Sequence, residues 1–300
     1  MGTTYSAIAT LDDLGNPEII PNPENNNKIT RSAVYIGKDK AIVGDKALEA
    51  SITEPKKVAK KAKIKMADEV VFSTKEGEWI DGKKGYTPSQ VSSLVLSKLK
   101  DYTSGVKKAV ITVPAHFAEA SRTATLDAAK LAGLEAELIN EPTAAVLHYA
   151  NLPGVKVSGR VLIFDLGGGT FDITILQLGD GVFEVKSTNG DTQLGGDDFD
   201  NVIVDYICET FKNDNSIDLK QDSAALQRVR VESERAKIEL SSVKQTEINL
   251  PFISADSTGP KHLQMNLSRA KLDELTNELV EQTVKPTVSA LKDSGLSAND

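Results

Sequence analysis

A glycine-rich segment between two aspartates has the composition of a phosphate-binding turn. Residues 165–172 read DLGGGTFD and lie between two apolar runs that predict β-strands. The glycines lack a Cβ, so backbone N–H groups in this turn can approach a phosphate closely. Asp165 and Asp172 could hold Mg²⁺ through water, and Thr170 offers a hydroxyl near the same phosphates. The alternative is a plain glycine hairpin, in which two carboxylates would crowd the turn without a purpose.

A second, weaker motif stands at the start of the chain, where Gly2 is followed by Thr3 and Thr4. Hydroxyl-rich turns are common, so the motif gains its meaning from an internal repeat. Residues 2–8 (GTTYSAI) match residues 169–175 (GTFDITI) in pattern, and strands and then helices follow each copy. Two such turns, one in each lobe, would define a cleft that clamps a triphosphate and its metal.

Hydrophobic periodicity around these motifs predicts an α/β protein. A helix is expected from Thr87, with Pro88 just inside its start, and others over residues 117–132, 197–211 and 223–240. One long amphipathic helix is expected from Ser268 to about Leu291. Strands are expected over residues 109–113, 161–164, 171–178 and 182–187, with a hairpin over 247–267.

The repeat also predicts the domain organisation. Lobe I is expected over residues 1–155 and lobe II over 156–300, with the boundary in the loop at 151–159. Residues 161–164 are expected to form a strand before the second turn, but no corresponding strand precedes Gly2. The second copy of the repeat stops at Asp300, where its late strand would be expected to begin. We therefore expect lobe I without its first strand and lobe II without its last strand. On that expectation, residues 1–300 alone bind the triphosphate weakly and hydrolyse little of it.

Composition narrows the class of protein. The net charge of −8 argues against a general nucleic-acid binder, because such proteins usually carry a basic surface. A single cysteine and three histidines leave little for a disulfide framework or a Cys/His metal site. No apolar run approaches the length of a membrane span. The expectation is a soluble cytoplasmic protein that binds neither nucleic acid nor membrane.

Several segments, which follow one another in the same order as in the family, resemble the nucleotide-binding domain of the Hsp70 chaperones of the bacterial DnaK type. They are residues 2–4, 109–117, 139–145, 165–172, 189–200 and 234–241. The resemblance implies the actin-like ATPase fold, with two ribonuclease-H-like lobes around a nucleotide cleft. It implies ATP or ADP with Mg²⁺ as ligands, and a role in protein folding and the stress response. Implied partners are a J-domain co-chaperone, a nucleotide-exchange factor and unfolded-peptide clients, the last bound through a separate substrate domain.

The resemblance also implies roles for individual residues. Thr3 and Thr4 would contact the β- and γ-phosphates, and Glu141 with Thr170 would position the attacking water. Asp165 and Asp172 would hold the water shell of the metal. The phosphate and ribose path would be lined by glycines: Gly2, Gly167, Gly168, Gly169, Gly195 and Gly196. Glu234, Lys237 and Ser241 would bind adenosine, and Pro114 and Arg122 would relay the nucleotide state to the substrate domain.

The catalytic lysine of the family is expected at Lys63, where it would stabilise charge developing on the γ-phosphate. Six lysines lie between positions 56 and 65, so Lys65 stays an alternative. The chain departs from the family at Arg31, which replaces a proline, and at His116, which replaces a tyrosine.

Two rival functions follow from these observations. The first is a pseudo-ATPase or fragment that binds partners without turnover. The second is a sugar kinase of the same superfold, but no sugar-binding insertion with a catalytic aspartate is evident in the second half of the chain.

Overall fold

A computed structural model describes residues 1–155, 158–179 and 182–299. The first part of the chain consists of short strands and one helix: β1 (Tyr5–Ser6), β2 (Ala9–Leu11), β3 (Pro17–Ile19), β4 (Thr30–Arg31), β5 (Val34–Ile36), β6 (Ala41–Val43), α1 (Asp45–Thr53), β7 (Val58–Ala59), β8 (Val70–Ser73) and β9 (Glu78–Asp81). The middle alternates helices and strands: α2 (Pro88–Lys100), β10 (Lys108–Val113), α3 (Glu119–Leu131), β11 (Glu135–Asn140) and α4 (Glu141–Ala150).

The remaining elements complete the α/β pattern. Three strands follow α4: β12 (Gly159–Leu166), β13 (Phe171–Gly179) and β14 (Val182–Asp191). The last part contains two helices, a long hairpin and two more helices: α5 (Gly196–Asn215), α6 (Ser223–Leu240), β15 (Gln245–Asp256), β16 (Gly259–Ser268), α7 (Arg269–Gln282) and α8 (Val284–Asp293).

The chain divides into two compact units. Unit 1 comprises Met1–Gln193 together with the residues from Lys285 onward, and unit 2 comprises Leu194–Val284. The two-lobe division after residue 155 stays a prediction. Residues 156 and 157, where lobe II was expected to begin, lie outside the described residues.

An antiparallel sheet of β12, β13 and β14 positions the glycine-rich turn in unit 1. Its register pairs Asp165 with Asp172 across the turn. Strand β13 is central and almost wholly buried, because both of its edges are paired and α4 covers one face through Val146. The turn therefore leads into a buried central strand, β13, and follows an edge strand, β12, whose last residues are exposed.

A parallel pair formed by β10 and β11 brings two further segments together. The register places Val113 opposite Asn140, so the loop that begins at Pro114 and the helix that begins at Glu141 leave the same end of the pair. Val91 and Val95 of helix α2 pack against Val34 and Phe72. The helix begins at Pro88, directly after Thr87, as the sequence predicts. Thr87 accepts a hydrogen bond from the Gln90 amide, and the Gln90 side chain accepts one from the Thr87 amide.

Unit 2 has a hydrophobic core of its own. Ile203, Ile207 and Phe211 on α5 pack with Val229 on α6 and Ile248 on the hairpin of β15 and β16. The predicted hairpin is confirmed, and its turn lies at Ser257–Thr258 as expected from the sequence.

The predicted single helix from Ser268 to Leu291 is wrong. Ser268 caps α7 by accepting the Lys271 amide, but α7 ends at Gln282 and α8 begins at Val284. Pro286 explains the break. It has no N–H to donate to the Gln282 carbonyl four residues earlier, and its ring would clash with that carbonyl in a continuous helix.

Candidate functional site

The two glycine–threonine turns lie side by side in unit 1. In the first, the Ser32 hydroxyl donates to the Gly2 carbonyl at 2.8 Å. In the second, the Gly167 amide donates to the Thr170 carbonyl at 2.9 Å and closes the turn between β12 and β13. Hydrogen bonds within the protein therefore hold both turns, from Ser32 in the first turn and within the turn itself in the second.

Contact between the turns is close enough to require glycine. A Cβ added to Gly168 would lie 2.0 Å from Thr4 Oγ1, and one added to Gly169 would lie 3.0 Å from Thr3 Cγ2. The side chains of Thr3 and Thr170 are both buried. The glycines therefore form a cradle that any Cβ would fill, and hydroxyl groups of the first turn border it.

A buried ion pair lies next to this cradle. Lys63 Nζ is 2.5 Å from Glu141 Oε1, and the two side chains are 7% and 19% exposed. Glu141 is the first residue of α4, where the helix dipole favours a negative charge. Ile64 lies against Gly169, so the lysine segment touches the glycine turn directly. Lys65, the alternative catalytic lysine, is half-buried.

Negative charge accumulates around the turn. Partial removal of Asp165 from water raises its pKa, although the residue is still exposed at the end of β12; the nearby charges of Glu141 and Asp172 raise the pKa further, and Lys63 offsets part of this effect. Asp172 is itself almost fully buried. The three carboxylates would repel one another, and a divalent cation at this position would relieve that repulsion.

A histidine that the sequence analysis noted only as a departure from the family is part of this site. His116 lies in the loop between β10 and α3, and its Nδ1 is 2.5 Å from Asp172 Oδ1. Its other nitrogen, Nε2, is buried and has no hydrogen-bond partner among the described residues. In the sequence, the only sign of this role was that a histidine replaces the tyrosine of the family at position 116. The sequence did not indicate that His116 contacts Asp172, 56 positions away.

The two expected relay residues lie at the end of the β10 and β11 pair. Pro114 is buried directly after β10. Arg122 Nε donates to the Phe117 carbonyl at 3.2 Å, and its Nη2 donates to Asn140 Oδ1 at 2.7 Å. Arg122 thereby ties the loop that carries His116 to the residue before Glu141.

The residues expected to bind adenosine lie in unit 2. Lys237 Nζ is 2.8 Å from the Gly196 carbonyl and 2.7 Å from Asp200 Oδ1, so α6 is tied to the first turn of α5. Burial raises the pKa of Asp200, and the bond from Lys237 opposes this shift. Glu234 is half-buried on α6, and Ser241 is the residue that ends the helix. Gly195 precedes α5, and its amide donates to Asp198.

Comparison with known protein families matches residues 1–300 to the family described as Hsp70 protein. The chain belongs to the Hsp70 family. This confirms the expected actin-like ATPase fold. Hsp70 proteins bind ATP or ADP, typically with Mg²⁺, hydrolyse ATP, and act as chaperones with clients and co-chaperones. Across the described parts of the chain, none of the helices has the length and apolar character needed to cross a membrane.

The carboxylates suit the Mg²⁺ that Hsp70 proteins use. Within the described residues, no three His, Cys, Asp or Glu side chains are grouped tightly enough to enclose a metal ion. Mg²⁺ is rarely enclosed in this way, because it keeps several waters and uses one or two carboxylates together with substrate phosphates. Asp165 and Asp172, paired across the turn, would supply those carboxylates. The donor set fits an ion held through water beside a bound nucleotide.

Proposed function

We propose that this chain is the ATP-binding and ATP-hydrolysing module of a DnaK-type chaperone that assists protein folding. The observation that supports this most is the contact of the two glycine–threonine turns beside the Lys63–Glu141 pair. Phosphoryl transfer depends on positioning and electrostatic stabilisation more than on covalent chemistry. Backbone amides, hydroxyls, the Lys63 ammonium and three carboxylates in one place supply those two requirements.

Each group then has a defined task. Thr3 and Thr4 donate hydroxyl hydrogen bonds to the β- and γ-phosphates, and the amides of the second turn approach the same oxygens. Lys63 stabilises negative charge that develops on the γ-phosphate. Glu141 and Thr170 orient the attacking water for in-line attack. When bound, Mg²⁺ would neutralise part of the charge on the phosphates.

The resemblance supports the remaining assignments. Glu234, Lys237 and Ser241 bind the adenosine, and Gly195 and Gly196 allow the ribose and phosphates to approach the backbone. Pro114 and Arg122 carry the nucleotide state to a substrate-binding domain that holds unfolded-peptide clients, and a J-domain co-chaperone and a nucleotide-exchange factor time the cycle. One buried free cysteine, Cys208, suits a reducing cytoplasm.

Nucleotide binding and turnover test this proposal directly. Calorimetric titration of the purified chain with Mg·ATP should show weak but saturable binding, and a sensitive phosphate-release assay should show slow turnover, as expected for residues 1–300 alone. Asp165→Asn and Thr170→Ala should each slow single-turnover hydrolysis by roughly 10²–10³-fold, as loss of a well-placed polar group does in such sites. Thr123→Ala on the exposed face of α3 is the matched control.

The outcomes of these assays distinguish an ATPase from a pseudo-ATPase. Absence of Mg·ATP binding would contradict the proposal. Binding without phosphate release would favour the alternative, a pseudo-ATPase or fragment that binds partners without turnover. Unchanged rates in both site variants would reject the roles given to Asp165 and Thr170.

A further inference from the structure

Strand β12 forms one edge of the sheet that carries the second glycine turn. We propose that two copies of this chain associate by pairing their β12 strands antiparallel, so that one six-stranded sheet runs through both copies. The two-fold axis passes Ile163, which places Leu162 of one copy opposite Phe164 of the other. This surface does not depend on the proposed nucleotide chemistry.

The hydrogen-bond pattern of β12 shows which backbone groups face the edge. The Gly167 amide donates to the Thr170 carbonyl at 2.9 Å and closes the turn. Hydrogen-bonded and non-hydrogen-bonded pairs alternate in an antiparallel ladder, so Ile163, four residues earlier, is bonded to β13. Leu162 and Phe164 have the opposite phase. Their N–H and C=O groups therefore point away from β13, to an edge at which no strand lies among the described residues.

Large apolar side chains lie along the same edge. Leu162 is 43% exposed, Phe164 50% and Leu166 37%, and their spacing of two residues puts all three on one face of the sheet. Residues 161–164 contain no charge and no proline, which are the usual features that protect an edge strand from pairing. A second strand at this edge would satisfy the outward backbone groups and remove part of the apolar surface from water.

A second copy of β12 fits this edge in one register. With the axis at Ile163, Leu162 and Phe164 pair across the interface, and each such pair exchanges two backbone hydrogen bonds. The two Asp165 carboxylates then lie four residues apart along the strands, about 13 Å, which exceeds the Debye length of about 8 Å at physiological salt. An axis at Asp165 would instead place these charges directly opposite each other. Two-fold pairing of identical surfaces is also the commonest symmetry of homo-oligomers.

The helix packed on this sheet leaves room for the second copy. Helix α4 covers the sheet through Val146, which packs with Leu176 and Leu178 on β13. The two β13 strands of the dimer are three strand spacings apart, about 14 Å, whereas packed helices need only about 8–10 Å. One strand pair buries less than the standard interface of about 1,600 Å², so we expect a weak dimer with a dissociation constant in the micromolar range.

Sedimentation velocity and amide hydrogen exchange test the dimer without any nucleotide. As the concentration of the purified chain rises through the micromolar range, its sedimenting mass should increase from 32.2 kDa towards twice that value. Exchange should slow at the Leu162 and Phe164 amides, which face the second copy, and change little at Ile163, which β13 already bonds. A chain that stays monomeric, or a dimer with unchanged exchange at Leu162 and Phe164, would overturn the inference.

A charge at the edge tests which surface is used. Leu162→Lys places a positive charge in each half of the interface and should raise the dissociation constant about tenfold or more. Val182→Lys is the matched control, because Val182 is 63% exposed on β14, at the opposite edge of the same sheet. This control should stay within about twofold of the wild type. Equal dissociation constants for the two variants would place the contact elsewhere and overturn the inference.

An engineered disulfide tests the register. Ile163→Cys should give a cross-linked dimer on oxidation, because the Cα atoms of a non-hydrogen-bonded pair lie about 4.5 Å apart, within the range that a disulfide spans. Val182→Cys should not cross-link. The native Cys208 is buried and is common to both variants. A wild-type dimer whose Ile163→Cys variant does not cross-link would contradict the proposed pairing.

The remaining outcomes separate this inference from the proposed function. If Leu162→Lys does not fold, the cross-linking of Ile163→Cys and the amide exchange of the wild type decide. A chain that binds Mg·ATP and stays monomeric refutes only the dimer. A chain that dimerises through β12 and binds no nucleotide supports the dimer and refutes only the proposed function.

Discussion

The contact between Lys63 and Glu141 determines much of the charge around the glycine turns. An ammonium and a carboxylate that are both mostly removed from water stabilise each other, but each becomes costly when its partner is removed. The same lysine also lowers the repulsion felt by Asp165. One substitution at this position therefore changes stability, local charge and the proposed chemistry together.

We predict that Lys63→Met lowers the free energy of unfolding by about 2–3 kcal/mol, because Glu141 is left largely buried without its partner. It should also slow single-turnover hydrolysis by roughly 10²–10³-fold. Lys65→Met, at a half-buried position in the same lysine run, should cost less than about 1 kcal/mol and leave the rate near that of the wild type. Urea denaturation and a single-turnover assay measure both quantities. The reverse ranking would assign the catalytic role to Lys65.

Gly168 offers a second test at one position. A Cβ at Gly168 would meet Thr4 Oγ1 at 2.0 Å, so we predict that Gly168→Ala destabilises the protein by about 1–3 kcal/mol through overpacking. Thr4→Ala removes the obstructing hydroxyl and should recover most of this loss in the double variant. A double-mutant cycle by denaturation checks the coupling. Additive effects would show that the two turns do not touch.

Among the secondary-structure elements, an ion-pair network joins the loop before β4 to two helices. Glu24 in that loop binds Lys46 of α1 at 2.8 Å and Lys98 of α2. Hydrogen bonds from Lys46 and then Lys98 lower the pKa of Glu24 from 4.5 to about 2. The carboxylate thus stabilises the folded state as long as it is ionised.

We predict that Glu24→Gln lowers the free energy of unfolding at pH 7 by no more than about 1 kcal/mol, because the Glu24 side chain is 42% exposed and water screens its charge. The folded-state pKa is depressed, so the stabilisation is present above about pH 4.5 and is lost as the pH falls from 4.5 towards 2. The two proteins should therefore converge in stability as the pH falls below about 2. Glu18→Gln, exposed on β3, is the control. A difference that does not shrink as the pH falls from 4.5 to below 2 would have another cause.

The molecule as a whole contains two units with separate cores. Phe211 is 3% exposed within the core of unit 2, and the residues in contact with it in that core all belong to the same unit. The glycine–threonine turns and the Lys63–Glu141 pair belong to unit 1. A substitution that destabilises one core should therefore increase local unfolding first in the unit that contains that core.

We predict that Phe211→Ala costs about 3–5 kcal/mol locally, the usual loss for a buried phenylalanine. Hydrogen exchange should accelerate in α5, α6 and the hairpin of β15 and β16 more than in β12 and β13. Phe252→Ala is the matched control, because that ring is 70% exposed and its loss should cost less than about 1 kcal/mol. Equal acceleration throughout the chain would show that the two units unfold together.

Local sequence was sufficient for the elements around the site. The turn at 167–170, its flanking strands and the cap at Thr87 follow from glycine conformation, strand periodicity and hydrogen-bond chemistry within a few residues. Pro286 also accounts locally for the break before α8, but the continuous apolar periodicity led to the prediction of a single helix. Strand β11 and helix α4 were missed, although Glu141–Pro142 is a typical helix start.

Tertiary structure alone decided which distant side chains meet. Lys63 and Glu141 are 78 positions apart. The family resemblance favoured Lys63, but the run of lysines by itself does not tell which side chain turns inward. His116 and Asp172 are 56 positions apart and meet because the loop after β10 lies against the start of β13. Periodicity reports which face of an element is apolar, whereas such pairings depend on how whole elements pack. The sequence therefore indicated the family and the two turns, whereas the packing decided that Lys63 meets Glu141 and that His116 meets Asp172.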